Sequence, residues 1–451
     1  MDRVRDSALK AVYEVLEKGA FTNIAVNNLL KEANFSPLER RFITEIVYGT
    51  VKNKNSIEWI MKIFVSKKKI DPWINYILLT GIYQLIYLDK VPVSAACNES
   101  VNLAKKYGNP GSVKFVNGVL RNIARNQDEI SFPDINEDPV MHISVVYSHP
   151  QWLVRRWVEE YGVKDTITLC KHNNSKSPNT IRVNTLKVDI EDLKENLLNK
   201  DISVKKTLYA PEGLEIEKFE QIDKIESFIQ GLFIMQDEAS MLVARCLSPA
   251  VGSTVVDACA APGSKTTHLA QLTEDKSNIL AFDIHSHKLK LIEQNARRLG
   301  VMSIQVQKQE AQRLGDLYER QIDYLLLDVP CSGLGVLRRR ADLRWKKNQQ
   351  QIKELAKLQS EIIEGASRCL KLGGTLVYST CTMAHEENHD VVNMFLKKNK
   401  NYRFDSLLPY IPTRLALDPD LSYTAEKGFM QILPQRHNMD GFFISRIIRE
   451  S

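Results

Sequence analysis

From Gln236 to the C-terminus, short apolar runs alternate with helix-length segments, and no other feature of the chain constrains its fold as strongly. The strand-like runs are Thr254–Asp257, 279–283, 304–307, 324–328 and 375–379, with helical patterns between them at 286–299 and 349–370. Strand, helix, strand alternation predicts a parallel sheet covered by helices, an α/β arrangement of the doubly wound kind. In such sheets ligands bind where the strands end, at their carboxyl edges. The loops at those edges are therefore the first place to look for chemistry.

The first 130 residues read differently. Val4, Ala8, Ala11, Val12, Val15 and Leu16 recur at helical spacing, and Gly19 suits the end of that helix. Ser36-Pro37-Leu38-Glu39 is a capping box with proline at the first helical position, and Gly49 suits the stop of the helix it opens. Asp71-Pro72 begins another helix, with Ile74, Ile77, Leu78, Ile82 and Leu85 on its apolar side. An all-helical domain is expected over 1–130. The polar, acidic stretch 126–139 reads as a linker. Between 141 and 235 the pattern is mixed: helix near 150–173, strand at Asn179–Val183, helix near 189–199, then short strand-like runs ending at 232–235.

With 451 residues the chain is long enough for two or three cores. Its 43% hydrophobic and 26% charged residues are those of a globular protein. The net charge of +6 permits a nucleic-acid partner without requiring one. Seven cysteines, an odd number with no CxxC pair, argue against a disulfide framework or a zinc ribbon. The N-terminus lacks the apolar core of a signal peptide, and the most apolar run, 76–88, falls short of the roughly 18–20 residues needed to span a bilayer. A cytoplasmic protein with no membrane partner is the expectation.

Asp257-Ala258-Cys259-Ala260-Ala261-Pro262-Gly263-Ser264-Lys265-Thr266 follows a strand and opens a helix. Small residues let the backbone approach a ligand, and a helix N-terminus offers free N–H groups. The loop is neither GxGxxG nor a P-loop, because Ser264 separates Gly263 from Lys265. Asp283, at the end of the next strand, is placed to accept both hydroxyls of a ribose. This combination suits a nucleoside without pyrophosphate, S-adenosylmethionine being the obvious candidate, although taken alone the loop is also compatible with an ordinary tight turn.

Two more strand ends carry cysteines, in Asp328-Val329-Pro330-Cys331-Ser332-Gly333 and Ser379-Thr380-Cys381-Thr382. A free cysteine is most often a small buried hydrophobe, and Cys97, Cys170, Cys246 and Cys369 read that way. Paired thiols at strand ends have a chemical use. Carbon 5 of cytosine is a poor nucleophile until a thiolate adds to carbon 6, and a base must later remove the proton on carbon 5 before the thiol leaves.

Taken together, 257–266, 328–333 and 379–381 strongly resemble the RNA cytosine-5 methyltransferases. Tyr147-Ser148-His149-Pro150-Gln151-Trp152, Gln236-Asp237-Glu238-Ala239-Ser240 and Asp440-Gly441-Phe442-Phe443 look like further signatures of that family, and the N-terminal region resembles the antitermination factor NusB at Phe115-Val116-Asn117-Gly118-Val119-Leu120. The resemblance spans essentially the whole chain. It implies three parts: an all-α NusB-like RNA-binding domain (1–130), a small ferredoxin-like α+β RNA-binding region (141–235) and an α/β Rossmann-like, S-adenosylmethionine-dependent catalytic domain (236–451). It implies that Cys381 is the nucleophile and that Cys331 assists loss of the proton and of the thiol adduct. It implies that Cys259, Ala260, Ala261, Pro262, Gly263, Ser264 and Lys265 surround the cofactor and Asp283 holds its ribose. Glu310 stands where the family has an aspartate near the adenine, and Asp328 would lie between the cofactor's methionine end and the target base. Ser264 replaces the family's usual second glycine. The implied partner is 16S ribosomal RNA, with a monomeric enzyme and no metal. A tRNA enzyme of the same chemistry and an idle RNA-binding assembly factor are the alternatives.

Two further segments need weighing. His385-Glu386-Glu387-Asn388-His389 matches the H-E-x-x-H pattern of zinc proteases, but Val392 and Phe395 occupy places its extension needs for glycine and histidine. Glu386 and Glu387 read instead as acids in a first helical turn, favoured by the helix dipole. From Arg338 to Lys347, six residues are basic and one is acidic, with Trp345 among them. Close to the Cys331 loop, this run is expected to track RNA phosphates and stack on a base. Lys67-Lys68-Lys69 is a weaker basic patch.

Overall fold

The computed structural model describes residues 2–450 other than 33, 67, 68 and 220, so two of the three lysines at 67–69 lie outside the described residues. The chain forms two compact units: one from residues up to 175 with 337–346, the other from 176–336 with 347 onward.

The first unit is helical. Its helices run Arg3–Leu16, Thr22–Glu32, Pro37–Lys52, Lys54–Phe64, Pro72–Tyr87, Val93–Tyr107, Pro110–Arg125, Pro139–Val146 and Gln151–Asn174. The starts legible in the sequence form as expected. Ser36 and Glu39 make the reciprocal capping box, and Asp71 accepts from the N–H groups of Trp73 and Ile74. The helix Pro72–Tyr87 buries residues on every side, as a helix at the centre of a bundle must. Gly49 does not end its helix, which continues to Lys52. A Cβ there would lie 2.0 Å from Cζ of Tyr83, so the glycine admits a neighbouring helix rather than a turn. The long helix Gln151–Asn174 breaks at Gly162, whose φ of 77° no helix allows.

The basic run is also corrected by the structure. Residues 337–346 belong to the helical unit, and Leu343–Lys346 form a short helix within it. Arg344 is fully buried and donates to Ser148 O (2.8 Å) and Asn174 Oδ1 (2.9 Å). Trp345 Nε1 donates to Val51 O at 2.7 Å, and Arg340 and Lys346 lie over the ring of Phe21. Arg344 and Trp345 thus fasten the segment to the bundle. Arg344 Nη1 and the Trp345 indole N–H each find an acceptor in the bundle, as a buried donor needs one.

The second unit holds two sheets. The smaller comprises β1 (Asn179–Val183), β2 (Ser203–Lys206), β3 (Gly213–Glu217) and β4 (Phe233–Met235), antiparallel in the order β2-β3-β1-β4, with the helix Ile190–Leu198 between β1 and β2. Its core includes Ile181, Val183, Leu193, Leu197, Leu214, Ile216 and Phe233. This is the small ferredoxin-like α+β domain.

The larger sheet contains β5 (Thr254–Asp257), β6 (Asn278–Asp283), β7 (Ile304–Lys308), β8 (Ile322–Asp328), β9 (Leu370–Thr380), β10 (Tyr402–Phe404), β11 (Phe429–Ile432) and β12 (Phe442–Arg449). The strand path is β10-β12-β9-β8-β5-β6-β7, with β11 also paired to β12. From β9 to β7 all pairings are parallel, as the alternation predicts. The last three strands are not: β12 runs antiparallel to β9, β10 and β11, which makes the sheet mixed. Between β11 and β12 there is only the short turn helix Pro434–His437, too little chain for the crossover that a parallel strand requires. The chain winds outward from β5 through β6 to β7, then crosses back to β8 on the other side of β5. That reversal opens a crevice at the carboxyl ends of β5 and β8.

Candidate active site

Four strand ends meet at this crevice. The loop 258–263 leaves β5 and enters the helix Ser264–Leu272 through Gly263, whose φ is 99°. An alanine Cβ at Gly263 would stand 3.1 Å from Ile292 Cα, so the position needs glycine both for its backbone and for the approach of the helix Ser286–Leu299. The loop is held by Ala258 N donating to Leu326 O, Ala260 N to Phe282 O, and Asn295 Nδ2 to Pro262 O (2.9 Å). Asp283 ends β6, partly exposed, its Oδ1 accepting from the N–H of His285. Glu310 lies two residues beyond β7, exposed, ahead of the turn Ala311–Arg313, which it does not cap with its side chain.

The donor set fits a nucleoside cofactor: open backbone at a helix start, a cradle that tolerates only glycine, and a carboxylate one strand away. Beneath it Asp257 is 1% exposed. Its Oδ2 accepts from Thr266 Oγ1 at 2.7 Å, and burial pushes its pKa up to about 7. Burial likewise holds the Cys259 thiol protonated.

Lys265 reaches from this helix to β8, its Nζ 2.6 Å from Asp328 Oδ2. Ser379 Oγ donates to the other oxygen of Asp328 at 2.8 Å. Burial disfavours the lysine's charge, but the Asp328 carboxylate outweighs it and the Lys265 pKa is raised. The ammonium also sits 5.2 Å from the ring centroid of Phe442.

The two cysteines come together. In the parallel pair β8–β9, Asp328 stands opposite Ser379, so the loops that follow emerge side by side. Cys331 Sγ and Cys381 Sγ are 3.2 Å apart, both partly exposed. The contact with Cys381, together with burial, raises the Cys331 pKa well above the thiol range. Four other cysteines, at 97, 170, 246 and 369, are buried.

His385 and His389 do not share a helix. His385–Glu387 form a tight turn, Asn388 leaves helical geometry at φ −115° and ψ −102°, and the helix His389–Lys398 begins beyond it. His385 Nδ1 lies 2.8 Å from Asp390, and the His389 ring packs on Phe429. Among the described residues no group of His, Cys, Asp and Glu is arranged to hold a metal ion. No described helix is long and apolar enough to cross a membrane.

Sequence reasoning missed two side chains that shape the site. Arg182, 1% exposed on β1, donates to Gln271 Oε1 (3.2 Å), Thr267 Oγ1 (3.0 Å), Gln236 Oε1 and the carbonyl of Ser264, pinning the first turns of the cofactor helix. An arginine between Ile181 and Val183 in a strand-like run was the available signal. Glu387 is the other. It reads as an acid in a first helical turn, but it is completely buried and faces the Cys331 loop.

The family of 16S rRNA methyltransferases RsmB/F matches residues 244–448, the NusB family matches 2–125, and the ferredoxin-like domain of RsmF/B-like methyltransferases matches 149–223. The probable ribosomal RNA small subunit methyltransferase B of Bacillus subtilis (strain 168) is 37% identical over 443 residues, 98% of this chain and 97% of that protein. The chain belongs to the RsmB/F family of 16S rRNA methyltransferases. A second relative, the probable ribosomal RNA small subunit methyltransferase B of Synechocystis, is 33% identical over 99% of both chains. Among solved structures, PH0851 superposes with a TM-score of 0.81 at 27% identity over 98% of both chains. A methyltransferase homolog protein from Pyrococcus horikoshii gives 0.59 at 28% identity, spanning 70% of this chain and 99% of its own. The NusB-type bundle, ferredoxin-like domain and Rossmann-like sheet are therefore the arrangement of this family.

Proposed function

We propose that this RsmB/F-family chain methylates carbon 5 of a cytosine in 16S rRNA, in the cytoplasm, through a covalent adduct with Cys381. The observation that carries the reading is the contact of two thiols on neighbouring strand ends, beside the Lys265–Asp328 ion pair. Residues 259–265 and Asp283 would hold S-adenosylmethionine, with Glu310 toward its adenine. When bound, that cofactor supplies an electrophilic methyl group.

The protein's own part is the following. The Cys381 thiolate forms a bond to carbon 6 of the cytosine, and the electrons of the 5,6 double bond move to make carbon 5 nucleophilic. Once carbon 5 carries the methyl group, a base or water takes its proton, the C–H electron pair re-forms the 5,6 double bond, and the carbon 6–sulfur bond breaks to release the Cys381 thiolate. Cys331, in contact with Cys381, assists this elimination. Asp328, fixed by Lys265 and Ser379, lies between the cofactor loop and the cysteines. The cytosine must be unpaired or flipped out to reach them.

The test uses labelled S-adenosylmethionine and unmodified small-subunit rRNA. Wild type should give labelled 5-methylcytosine and Cys381→Ala none. Cys331→Ala should leave a covalent protein–RNA adduct, because elimination is blocked. Normal turnover in Cys381→Ala would refute the assignment. Label in tRNA but not in rRNA would move the substrate and keep the chemistry.

A further inference from the structure

The reaction needs the two thiols in contact, yet each sits on a loop that β8 and β9 hold only at its base. Beyond the strands, the loops are joined by one backbone bond, from Gly335 N to Cys381 O (3.0 Å), and by a dipeptide, Glu387-Asn388, which lies in neither strand. Glu387 acts on the Cys331 side. Its Oε1 accepts from Ser332 N (2.8 Å) and from Gln359 Nε2 (3.0 Å), and its Oε2 accepts from Ser332 Oγ. Gln359 also donates to Pro330 O at 2.9 Å. The residues before and after Cys331 are thereby both tied to one buried carboxylate. Asn388 acts on the Cys381 side: its Oδ1 accepts from Thr380 Oγ1 (2.5 Å) and its Nδ2 donates to Thr382 O (3.1 Å). The residues flanking Cys381 are tied in the same way. Ser332 Oγ and Thr382 Oγ1, 2.8 Å apart, close the bridge between the two loops.

We propose that Glu387, through Ser332, is a positioning residue that holds Cys331 against Cys381, and that it acts as a hydrogen-bond acceptor. A fully buried carboxylate is costly unless its oxygens are satisfied, and here two donors come from Ser332, directly after Cys331, and a third from Gln359, which also holds Pro330 O on the other side of the turn. An apolar residue of the same length would fill the space but leave the Ser332 N–H and the Gln359 amide without their acceptor. Glutamine keeps one oxygen for those donors, while its amide N–H can donate to Ser332 Oγ, which then donates to Thr382. The hydrogen-bonding role therefore survives Glu387→Gln and is lost in Glu387→Met.

This inference rests on the reading of the two cysteines given above. The experiment compares wild type with Glu387→Met, Glu387→Gln, Ser332→Ala and Cys331→Ala. Three quantities are measured: steady-state kcat and KM on small-subunit rRNA, the fraction of enzyme trapped as RNA adduct, and the yield of fluorescent bridging by dibromobimane, which joins two nearby thiols. Glu387→Met should lose about 10²-fold in kcat, the scale expected for a displacement of about 1 Å. Its RNA KM and S-adenosylmethionine affinity should stay within about twofold of wild type. It should also accumulate adduct as Cys331→Ala does and lose bridging yield, and Glu387→Gln should restore all three. Wild-type bridging and turnover in Glu387→Met would overturn the proposal, as would a Glu387→Gln variant that bridges normally yet is as inactive as the methionine variant. If Glu387→Met fails to bind the cofactor, Ser332→Ala decides: reduced bridging with trapped adduct supports the clamp, and wild-type behaviour overturns it. Absence of adduct in Cys331→Ala overturns the underlying reading instead, and the bridging yield still judges whether Glu387 holds the loops together.

Discussion

Replacing Arg182 by methionine tests whether the small sheet supports the cofactor helix. Arg182 is buried and reaches four acceptors, all neutral. Methionine fills most of the volume, so the cavity term is small. Thr267 Oγ1 retains its bond to Gly263 O at 2.8 Å, and it still reaches Ser264 O at 3.1 Å. That leaves the side-chain oxygens of Gln236 and Gln271 without donors, each costing about 1–3 kcal/mol when buried. Against this stands the recovered cost of burying a guanidinium whose pKa burial has already lowered to about 9. None of the acceptors is charged, and Glu212, whose charge favours the guanidinium, keeps its ion pair with Arg245, so no charge is left unpaired by the substitution. The balance is a loss of about 2–4 kcal/mol in the second unit. Ser264 is the first residue of the cofactor helix, and if about 1.4 kcal/mol of that loss is felt there, affinity for S-adenosylmethionine falls about tenfold. Thermal unfolding followed by cofactor titration of the same preparation measures both. An Arg182→Met protein with wild-type melting and wild-type affinity would refute the reasoning.

Gly263→Ala should weaken cofactor binding and destabilise the unit by about 2–3 kcal/mol, from left-handed backbone strain plus contact with Ile292, read by titration and melting. Gly49→Ala should destabilise the helical unit by about 1–3 kcal/mol in a denaturant titration, because overlap with Tyr83 exceeds the gain in helix propensity of about 1 kcal/mol. Asp257 has a folded pKa raised to about 7, so its contribution to stability is complete below the unfolded value of 3.8 and is lost as pH rises toward and through 7. Asp257→Asn should therefore gain stability relative to wild type between pH 5 and 8, by an amount on the order of 3 kcal/mol at the upper end; equal pH slopes would contradict the assignment.

Much of this protein was written locally. The helix starts at Ser36 and Asp71, the strand Thr254–Asp257 and the helix Ser286–Leu299 follow from caps and from periodicities of 2 and 3.6, which depend on near neighbours alone. The glycine loop and the two cysteine loops were legible because each sits at the end of a recognisable strand. Tertiary structure decided the rest. Whether Cys331 and Cys381 touch depends on β8 and β9 being neighbours with Asp328 opposite Ser379, a register no local pattern carries. The basic run 338–347 reads as a nucleic-acid surface by charge, yet Arg344 and Trp345 find buried carbonyls that only the packed bundle provides. The short connection after β11 makes β12 antiparallel to it, but its place between β9 and β10 is set by the packed sheet. Glu387 shows the limit most clearly: an acid at a helix start is the same in sequence whether it faces water or Ser332, and its role comes from the donors the fold brings to it.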